Sequence, residues 1–240
     1  MQYLGSKTKM AKHLLPLMLA HRNPGQWWVE PFVGGANMID KVDGPRIGND
    51  AHRYLVAMFK SLQKGWIPPT EVDRAMYYRV KNKPEDYSDE LVGFVGFLCS
   101  FGGRWFEGYA YNNQGTNYAA RGSRVLTGQI KKLMDVRFTH GSYLDLAIPS
   151  NSLIYCDPPY RGTKKYKCEL DHEEFWCWCR GKVKEGHTLY VSEYAAPDDF
   201  VCVKKVVHET ILDRNRRHER TEKLFVWQDM SNYANGIDLV

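Results

Sequence analysis

Apolar positions recur along the chain with two different periods. Met10, Leu14, Leu17 and Met18 recur at helical spacing and predict a helix over 7–20, capped by Ser6 and kinked at Pro16. The run 26–32 (QWWVEPF) reads as a buried strand, and 33–37 (VGGAN) as a glycine turn leading into a helix. A short strand over 45–50 (PRIGND) ends on Asp50. The helix predicted over 51–65 places Leu55, Phe59 and Leu62 on one face and Gly65 at its C-cap. Period-2 alternation resumes at 136–143 (VRFTHGSY) and continues in 152–160 (SLIYCDPPY), 188–194 (TLYVSEY), 200–209 (FVCVKKVVHE) and 223–229 (KLFVWQD). A helix over 172–185 separates the second and third of these, with Asp171 as its N-cap and Glu174 completing a capping box.

Strands alternating with helices predict an α/β fold: a mostly parallel, Rossmann-like sheet with helices on both faces. The last two strands have no helix between them, so they predict an antiparallel hairpin at the sheet's end. Residues 66–135 break the pattern. They hold one helix-like apolar run, Leu91–Phe101, then a stretch rich in glycine, aromatic residues and arginine at 101–124. This irregular middle reads as a small, mainly helical module inserted into a domain made of 1–65 and 136–240.

Composition narrows the picture in three ways. A length of 240 residues suits one large domain carrying a small inserted one, and 43% hydrophobic residues suffice for a core. A net charge of +5 permits a nucleic-acid partner without requiring one. The chain opens into a glycine turn with no basic and apolar leader, and Leu14–Ala20 is too short to span a bilayer. A cytoplasmic protein is therefore expected, with its six cysteines as free thiols. Cys168, His172, Cys177 and Cys179 lie close in sequence and raise a zinc site. On a helix, however, positions two apart face different ways, and no metal is expected there.

Three segments carry candidate chemistry. In 30–36 (EPFVGGA) a strand ends and glycines let the backbone approach a ligand, as in a nucleotide pocket, while Asp50 suits a ribose diol. An ordinary tight turn explains the glycines equally well. In 2–10 (QYLGSKTKM), Gly5 and Ser6 expose backbone donors at a helix start and Lys7 adds a positive charge for an anionic group. A plain capped surface helix is the simpler explanation for that segment alone. The most specific segment is 154–160 (IYCDPPY). Two prolines remove two donors and fix two φ angles, leaving a stiff bend with bare carbonyls. Such a bend suits transfer to the exocyclic amine of a base, a weak nucleophile whose lone pair is delocalised into the ring. Asp157 and the Pro158 carbonyl can each accept one amine hydrogen, Pro159 holds them in place, and Tyr160 can stack on the base.

Taken in order, these motifs resemble those of the Dam-type adenine-N(6) DNA methyltransferases, which use S-adenosylmethionine. YLGSK (3–7) is similar to that family's N-terminal cofactor motif, EPFVGGA to its glycine motif, and ND (49–50) to its acidic strand end. HGSY (140–143) sits at the position of a strand-end motif beside the cofactor adenine, IYCDPPY resembles the catalytic signature, and RTEKLFVW (220–227) resembles the last strand. The family places a target-recognition module where 66–135 falls. Two departures stand out: Ser142 replaces the usual acid of the strand-end motif, and 100–110 (SFGGRWFEGYA) is closer to a phage-borne branch than to the enterobacterial recognition hairpin.

The resemblance implies a set of roles. Lys7 and the turn formed by Tyr3, Gly5 and Ser6 would hold the methionine carboxylate. Glu30, Pro31, Gly34, Gly35 and Ala36 would lie against the amino-acid part, with Phe32 facing the sulfonium. Asp50 would take the ribose hydroxyls, and Ser142 and Tyr143 would lie by the adenine of the cofactor, with Asp157 bordering both sites. The target adenine would be flipped out of the duplex to meet Asp157, Pro158, Pro159 and Tyr160. Arg104, Tyr109, Tyr111, Asn112, Asn113, Gln114, Asn117, Tyr118, Arg121 and Arg124 form the candidate DNA surface, in which arginine reads guanine and an amide reads adenine. Arg214, Arg216, Arg217 and Arg220 would contact phosphates from a mobile loop, though a solvated charged hairpin accounts for them nearly as well. The partner would be double-stranded DNA, the protein a monomer in a bacterial or phage-infected cell, and no metal is needed. An RNA-adenine or cytosine-N(4) enzyme, a catalytically inactive DNA-binding relative, and one half of a restriction–modification pair remain as alternatives.

Overall fold

The computed structural model describes residues 1–160, 170–213 and 216–228, and for 208–213 and 216–220 the backbone alone. In chain order the elements are α1 (Thr8–Leu19), β1 (Trp28–Glu30), β2 (Arg46–Asp50), α2 (Arg53–Gln63), α3 (Arg74–Asn82), α4 (Asp89–Leu98) and α5 (Tyr118–Ile130). They continue with β3 (Val136–His140), β4 (Leu153–Cys156), α6 (His172–Lys184), β5 (Thr188–Glu193), β6 (Phe200–Asp213) and β7 (Arg216–Trp227). The strands form one seven-stranded sheet in the order β3-β2-β1-β4-β5-β7-β6. β2 with β3, β1 with β4 and β4 with β5 pair in parallel, while β7 pairs antiparallel with β5 and with β6. The mixed sheet with an antiparallel last pair is the one the alternation predicts. Among the described residues, no helix is long and apolar enough to cross a membrane.

The chain divides into two compact units. The first comprises Met1–Lys9 and Val33–Leu146. Its core is helical packing beside a two-stranded parallel edge. α2 buries Leu55, Val56, Met58, Phe59 and Leu62, and the Phe59 ring stacks on Phe138 of β3 at 4.8 Å. Gly65 ends α2 with φ +91°, and the amide of Trp66 reaches back to the Ser61 carbonyl, so the predicted C-cap is present. α4 is apolar all round and buries every residue from Val92 to Leu98, as a helix must when packed on all sides. Gly93 makes that possible. A Cβ there would lie 2.3 Å from the Tyr54 carbonyl oxygen, so the two helices approach backbone to backbone only because position 93 has no side chain.

The second unit comprises Met10–Phe32 and Ala147–Val240. All of β1 and β4 is buried, and β5 is buried from Leu189 onward. Strands buried in this way read as continuous apolar runs, which is why Leu153, Ile154 and Tyr155 follow one another without alternation. Trp28 is buried and Trp27 half-buried, in line with a packing role. Asp171 caps α6 by accepting from the amides of Glu173 and Glu174, as its sequence predicts.

Two expectations are corrected, and two helices are added to the reading of the middle stretch. The glycine turn at 33–37 leads into a single 3-10 turn, Ile39–Lys41, rather than a helix, because Val42–Pro45 redirects the chain within four residues. Two helices in the middle stretch, α3 and α5, carry too few apolar residues to stand out by period. Each is started instead by a side-chain cap: Asp73 accepts from the Met76 amide and Asn117 from the Ala120 amide. The loop expected around the arginines is shorter than predicted. β6 runs to Asp213 and β7 begins at Arg216, so Arg216, Arg217 and Arg220 are strand residues, while Arg214 lies outside the described residues. The β-branched Val206, Val207, Thr210 and Ile211 extend the ladder, with Thr210 opposite His218 and Ile211 opposite Arg217. Asp229, the predicted end of the last strand, and Cys168, a member of the weighed zinc cluster, also lie outside the described residues.

Gly93→Ala is expected to lower the unfolding free energy by about 1–3 kcal/mol, the cost of forcing a methyl group into a filled contact. Urea unfolding of the variant beside the wild type measures it, and an unchanged midpoint would show that α2 and α4 separate freely.

Candidate functional site

In the first unit, strand β2 ends on Asp50 beside His140, the last residue of β3. The Asp50 carboxylate accepts from the Gly34 amide at 3.0 Å and from the His52 amide at 2.9 Å. Burial pushes its pKa up, and these two backbone bonds and the nearby His140 pull it back. Each carboxylate oxygen has spent one lone pair on the protein, so further acceptor capacity remains for a diol. The HGSY segment lies alongside. The Gly141 amide donates to the Asp50 carbonyl, and the Asn49 side-chain amide donates to the Gly141 carbonyl. The Ser142 hydroxyl accepts from the Leu144 amide, and Tyr143 is buried.

The glycine turn is built by close approach. Gly34 has φ +47°, and a Cβ on it would lie 2.9 Å from the Tyr3 ring. A Cβ on Gly35 would lie 2.7 Å from the Tyr3 Cβ and 2.6 Å from the Asn37 amide nitrogen. The two glycines therefore let the 2–7 segment lie directly on the turn. The neighbouring Ala36 holds φ +54°, a strained value for a residue with a side chain. Two residues absent from the sequence reading hold this arrangement. Asn37 donates to the Ser6 hydroxyl at 2.8 Å and to the Met1 carbonyl at 3.0 Å. Gln129, in the last turn of α5, donates to the carbonyls of Gly35 and Ala36 and to Asp40. Their signal in the sequence is slight: a polar residue on the apolar side of a helix or turn. Lys7 is buried, and its ammonium lies 3.5 Å from the Gly5 carbonyl, within a turn where Gly5 has φ +78°.

In the second unit, β1 and β4 run parallel, so Glu30 and Asp157 follow the same end of the pair. Glu30 is buried and accepts from the Trp28 indole at 2.8 Å. Pro31 is buried, and the half-buried Phe32 packs edge-on against Phe175 of α6 at 5.8 Å. β4 delivers a buried Cys156, then a half-buried Asp157, a buried Pro158 and half-buried Pro159 and Tyr160. The Tyr160 hydroxyl donates to Glu222 of β7 at 2.6 Å, and its ring meets Tyr194 edge-on at 4.6 Å. Burial, then the Asp157 and Glu222 charges, hold the phenol well above its usual pKa, so it stays protonated. Burial likewise pushes up the Cys156 thiol, with Cys179 and the Asp157 and Glu30 charges adding to it. The Cys156 thiol is not a nucleophile in that state. Among the described residues, no group of three or more His, Cys, Asp or Glu could hold a metal ion.

The candidate DNA residues divide by what they already do. Arg104 pairs with Glu107, Tyr109 donates to the Val72 carbonyl, Asn112 closes its own loop through Thr116, and Asn117 caps α5 while donating to the Thr70 carbonyl. These four shape the surface. Tyr111, Asn113, Gln114, Arg121 and Arg124 are exposed, and Tyr118 is half-buried. Beside them are two residues the sequence reading passed over: Phe101, 63% exposed, and Arg74, which lies over the rings of Tyr109 and Tyr111. An exposed phenylalanine in a short turn has no periodicity to betray it.

His52 links the strand end to this stretch. Its ring packs against Trp105 at 4.2 Å and Phe97 at 4.9 Å, and Phe97 in turn meets Tyr3 at 5.3 Å. Burial lowers its pKa from 6.5 to about 4.

Comparison with known proteins adds two findings. A family model described as D12 class N6 adenine-specific DNA methyltransferase matches residues 3–91, which span YLGSK, EPFVGGA and ND but stop well before IYCDPPY. Among solved structures, the chain is similar to SMU.472, described as "a putative methyltransferase complexed with SAH", with 14% identity and a TM-score of 0.37. That match covers 92% of this chain and 52% of the other, so this chain spans about half its length.

His52 gives a prediction with a definite sign. Its folded pKa lies below the unfolded value, so its neutral form stabilises the fold above pH 6.5, and that contribution is lost as the pH falls toward about 4. The loss should be on the order of 3 kcal/mol. Unfolding free energies of the wild type and His52→Gln at pH 7 and pH 4 should differ in their pH slope by this amount; parallel slopes would contradict the burial of a neutral imidazole.

Proposed function

We propose that the protein transfers a methyl group from S-adenosylmethionine to the N(6) amine of an adenine flipped out of double-stranded DNA. The observation that carries this reading is the end of β4: a half-buried aspartate and two prolines at the strand's end, followed by an aromatic ring held at its hydroxyl and its edge. The family match over 3–91 supports it from the other half of the chain. Residues 66–135 are assigned to target recognition, and 1–65 with 136–240 to cofactor binding and catalysis. The cytoplasm of a bacterial or phage-infected cell is the proposed setting, and a monomer acting on one strand at a time the proposed form.

The residues present fit the cofactor. A turn of positive φ at Gly34, a strand-end acid with spare acceptor capacity and a buried lysine beside a glycine turn offer partners for an amino-acid moiety, a diol and a carboxylate. Tyr3, Gly5, Ser6, Lys7, Glu30, Pro31, Phe32, Gly34, Gly35, Ala36, Asp50, Ser142 and Tyr143 are proposed to hold it. When bound, S-adenosylmethionine supplies an electrophilic methyl group on a sulfonium.

The protein's own part is electrostatic positioning. Asp157 accepts one hydrogen of the adenine amine, and the Pro158 carbonyl accepts the other. Together they draw the nitrogen toward sp³ geometry and return its lone pair from the ring. Because the prolines fix both acceptors beforehand, no reorganisation is needed as charge develops. Tyr160 offers a neutral aromatic face for the base. The methylated amine is strongly acidic while cationic, so Asp157 or water removes its extra proton without a dedicated base. Arg74, Arg121 and Arg124, with the exposed amides at Asn113 and Gln114, are proposed to meet the duplex, and Phe101 and Tyr111 to contact bases.

Asp157→Ala tests the assignment. Methyl incorporation into DNA is expected to fall at least about a hundredfold, the scale of losing an electrostatic partner at a reacting atom. S-adenosylmethionine affinity, read by calorimetry, should change by less than about threefold. Loss of cofactor binding in parallel with activity would remove Asp157 from the reacting amine and make it a cofactor ligand.

A further inference from the structure

β7 carries an acid where its pattern calls for an apolar residue. Leu224 and Val226 are buried, and Glu222, two residues before them, shares their side of the strand and is itself 7% exposed. A carboxylate on an apolar face is costly unless a donor meets it. The Tyr160 hydroxyl does so at 2.6 Å, a short bond of the charge-assisted kind. Tyr160 follows directly from Pro159 and lies just beyond the last residue of β4, so no strand ladder constrains its ring. Among its contacts are the Glu222 carboxylate at the hydroxyl and the Tyr194 ring at the edge. Tyr194 is carried by the end of β5, and Glu222 by β7, which pairs with β5 through Glu193 and Lys223. The ring is thus anchored from the two strands beyond β4.

We infer that Glu222 is a positioning residue, acting through the Tyr160 hydroxyl to fix the plane in which the Tyr160 ring receives a base. The inference rests on the proposed function for the identity of the base, but the bond and its effect on the ring do not. A tyrosine has two side-chain torsions. The bond at the hydroxyl fixes the first and, because a phenolic O–H prefers the ring plane, biases the second, which the Tyr194 ring at the edge also limits, so stacking costs less ordering. Glu222 touches no substrate atom in this account. Its effect exists only while position 160 bears a hydroxyl.

That last condition makes the test. Glu222→Leu is expected to lower kcat for DNA methylation about tenfold, with KM for S-adenosylmethionine unchanged, the scale of one lost hydrogen bond to a charged group. Glu222→Gln keeps an oxygen acceptor and should recover most of that loss. In a Tyr160→Phe background, Glu222→Leu should cause no further loss, because the bond is already gone. An equal loss in both backgrounds would overturn the inference and leave Glu222 as a structural residue. A second readout needs no turnover. With 3-fluorotyrosine at position 160, Glu222→Leu should shift the fluorine resonance and bring the two ring-flip states into exchange. An unmoved fluorine line overturns the inference whatever the wild type methylates. Failure of the wild type to methylate DNA, with the fluorine line still responding to Glu222→Leu, would instead overturn the base-methylation reading and leave the positioning bond standing.

Discussion

Two consecutive prolines cannot donate to a β ladder, and the account of this protein depends on where that constraint falls. β4 is buried throughout and bounded by β1 and β5, so it runs until the first proline stops it. Asp157 is the residue before that stop, and the one before a proline is held in extended conformation. The acid is therefore presented at the end of a rigid strand rather than from a loop that must be ordered. Everything proposed for the reacting amine follows from this: two residues that bring carbonyls but no amide donors of their own, an acid at a strand end, and an aromatic ring next in the chain.

The glycine turn proposed for the cofactor obeys a different constraint, that of close approach. Gly34 and Gly35 lack side chains so that Tyr3 can lie on the turn, and the Gly34 amide is thereby delivered to Asp50. Asn37 and Gln129 then hold the turn from two sides. Gln129 is placed by α5, whose exposed face carries Arg121 and Arg124. Within the first unit, one helix therefore both offers arginines to solvent and grips the glycine turn.

The strands and their ends were legible in the sequence, because each is written locally. A proline pair follows β4, β2 ends on Asp50, and Asp171 caps α6. What was not legible depends on contacts far apart in the chain. α3 and α5 are weakly apolar and are set by single capping residues, so period counting passed over them. Glu222, Gln129 and Asn37 act through partners 62, 89 to 94 and 31 to 36 residues away. No spacing rule reaches so far. The arginine-rich segment was read as a loop because charge usually marks one, yet the β-branched residues opposite it in the ladder carry the hairpin through.

The most direct measurement is the identity of the product. Purified protein would be incubated with S-adenosylmethionine and unmethylated genomic DNA, the DNA digested to nucleosides, and the nucleosides identified by mass spectrometry. The account predicts N(6)-methyladenine as the methylated base. Methylated cytosine, methylation of RNA alone, or bound cofactor with no methylated nucleoside from any DNA would contradict it.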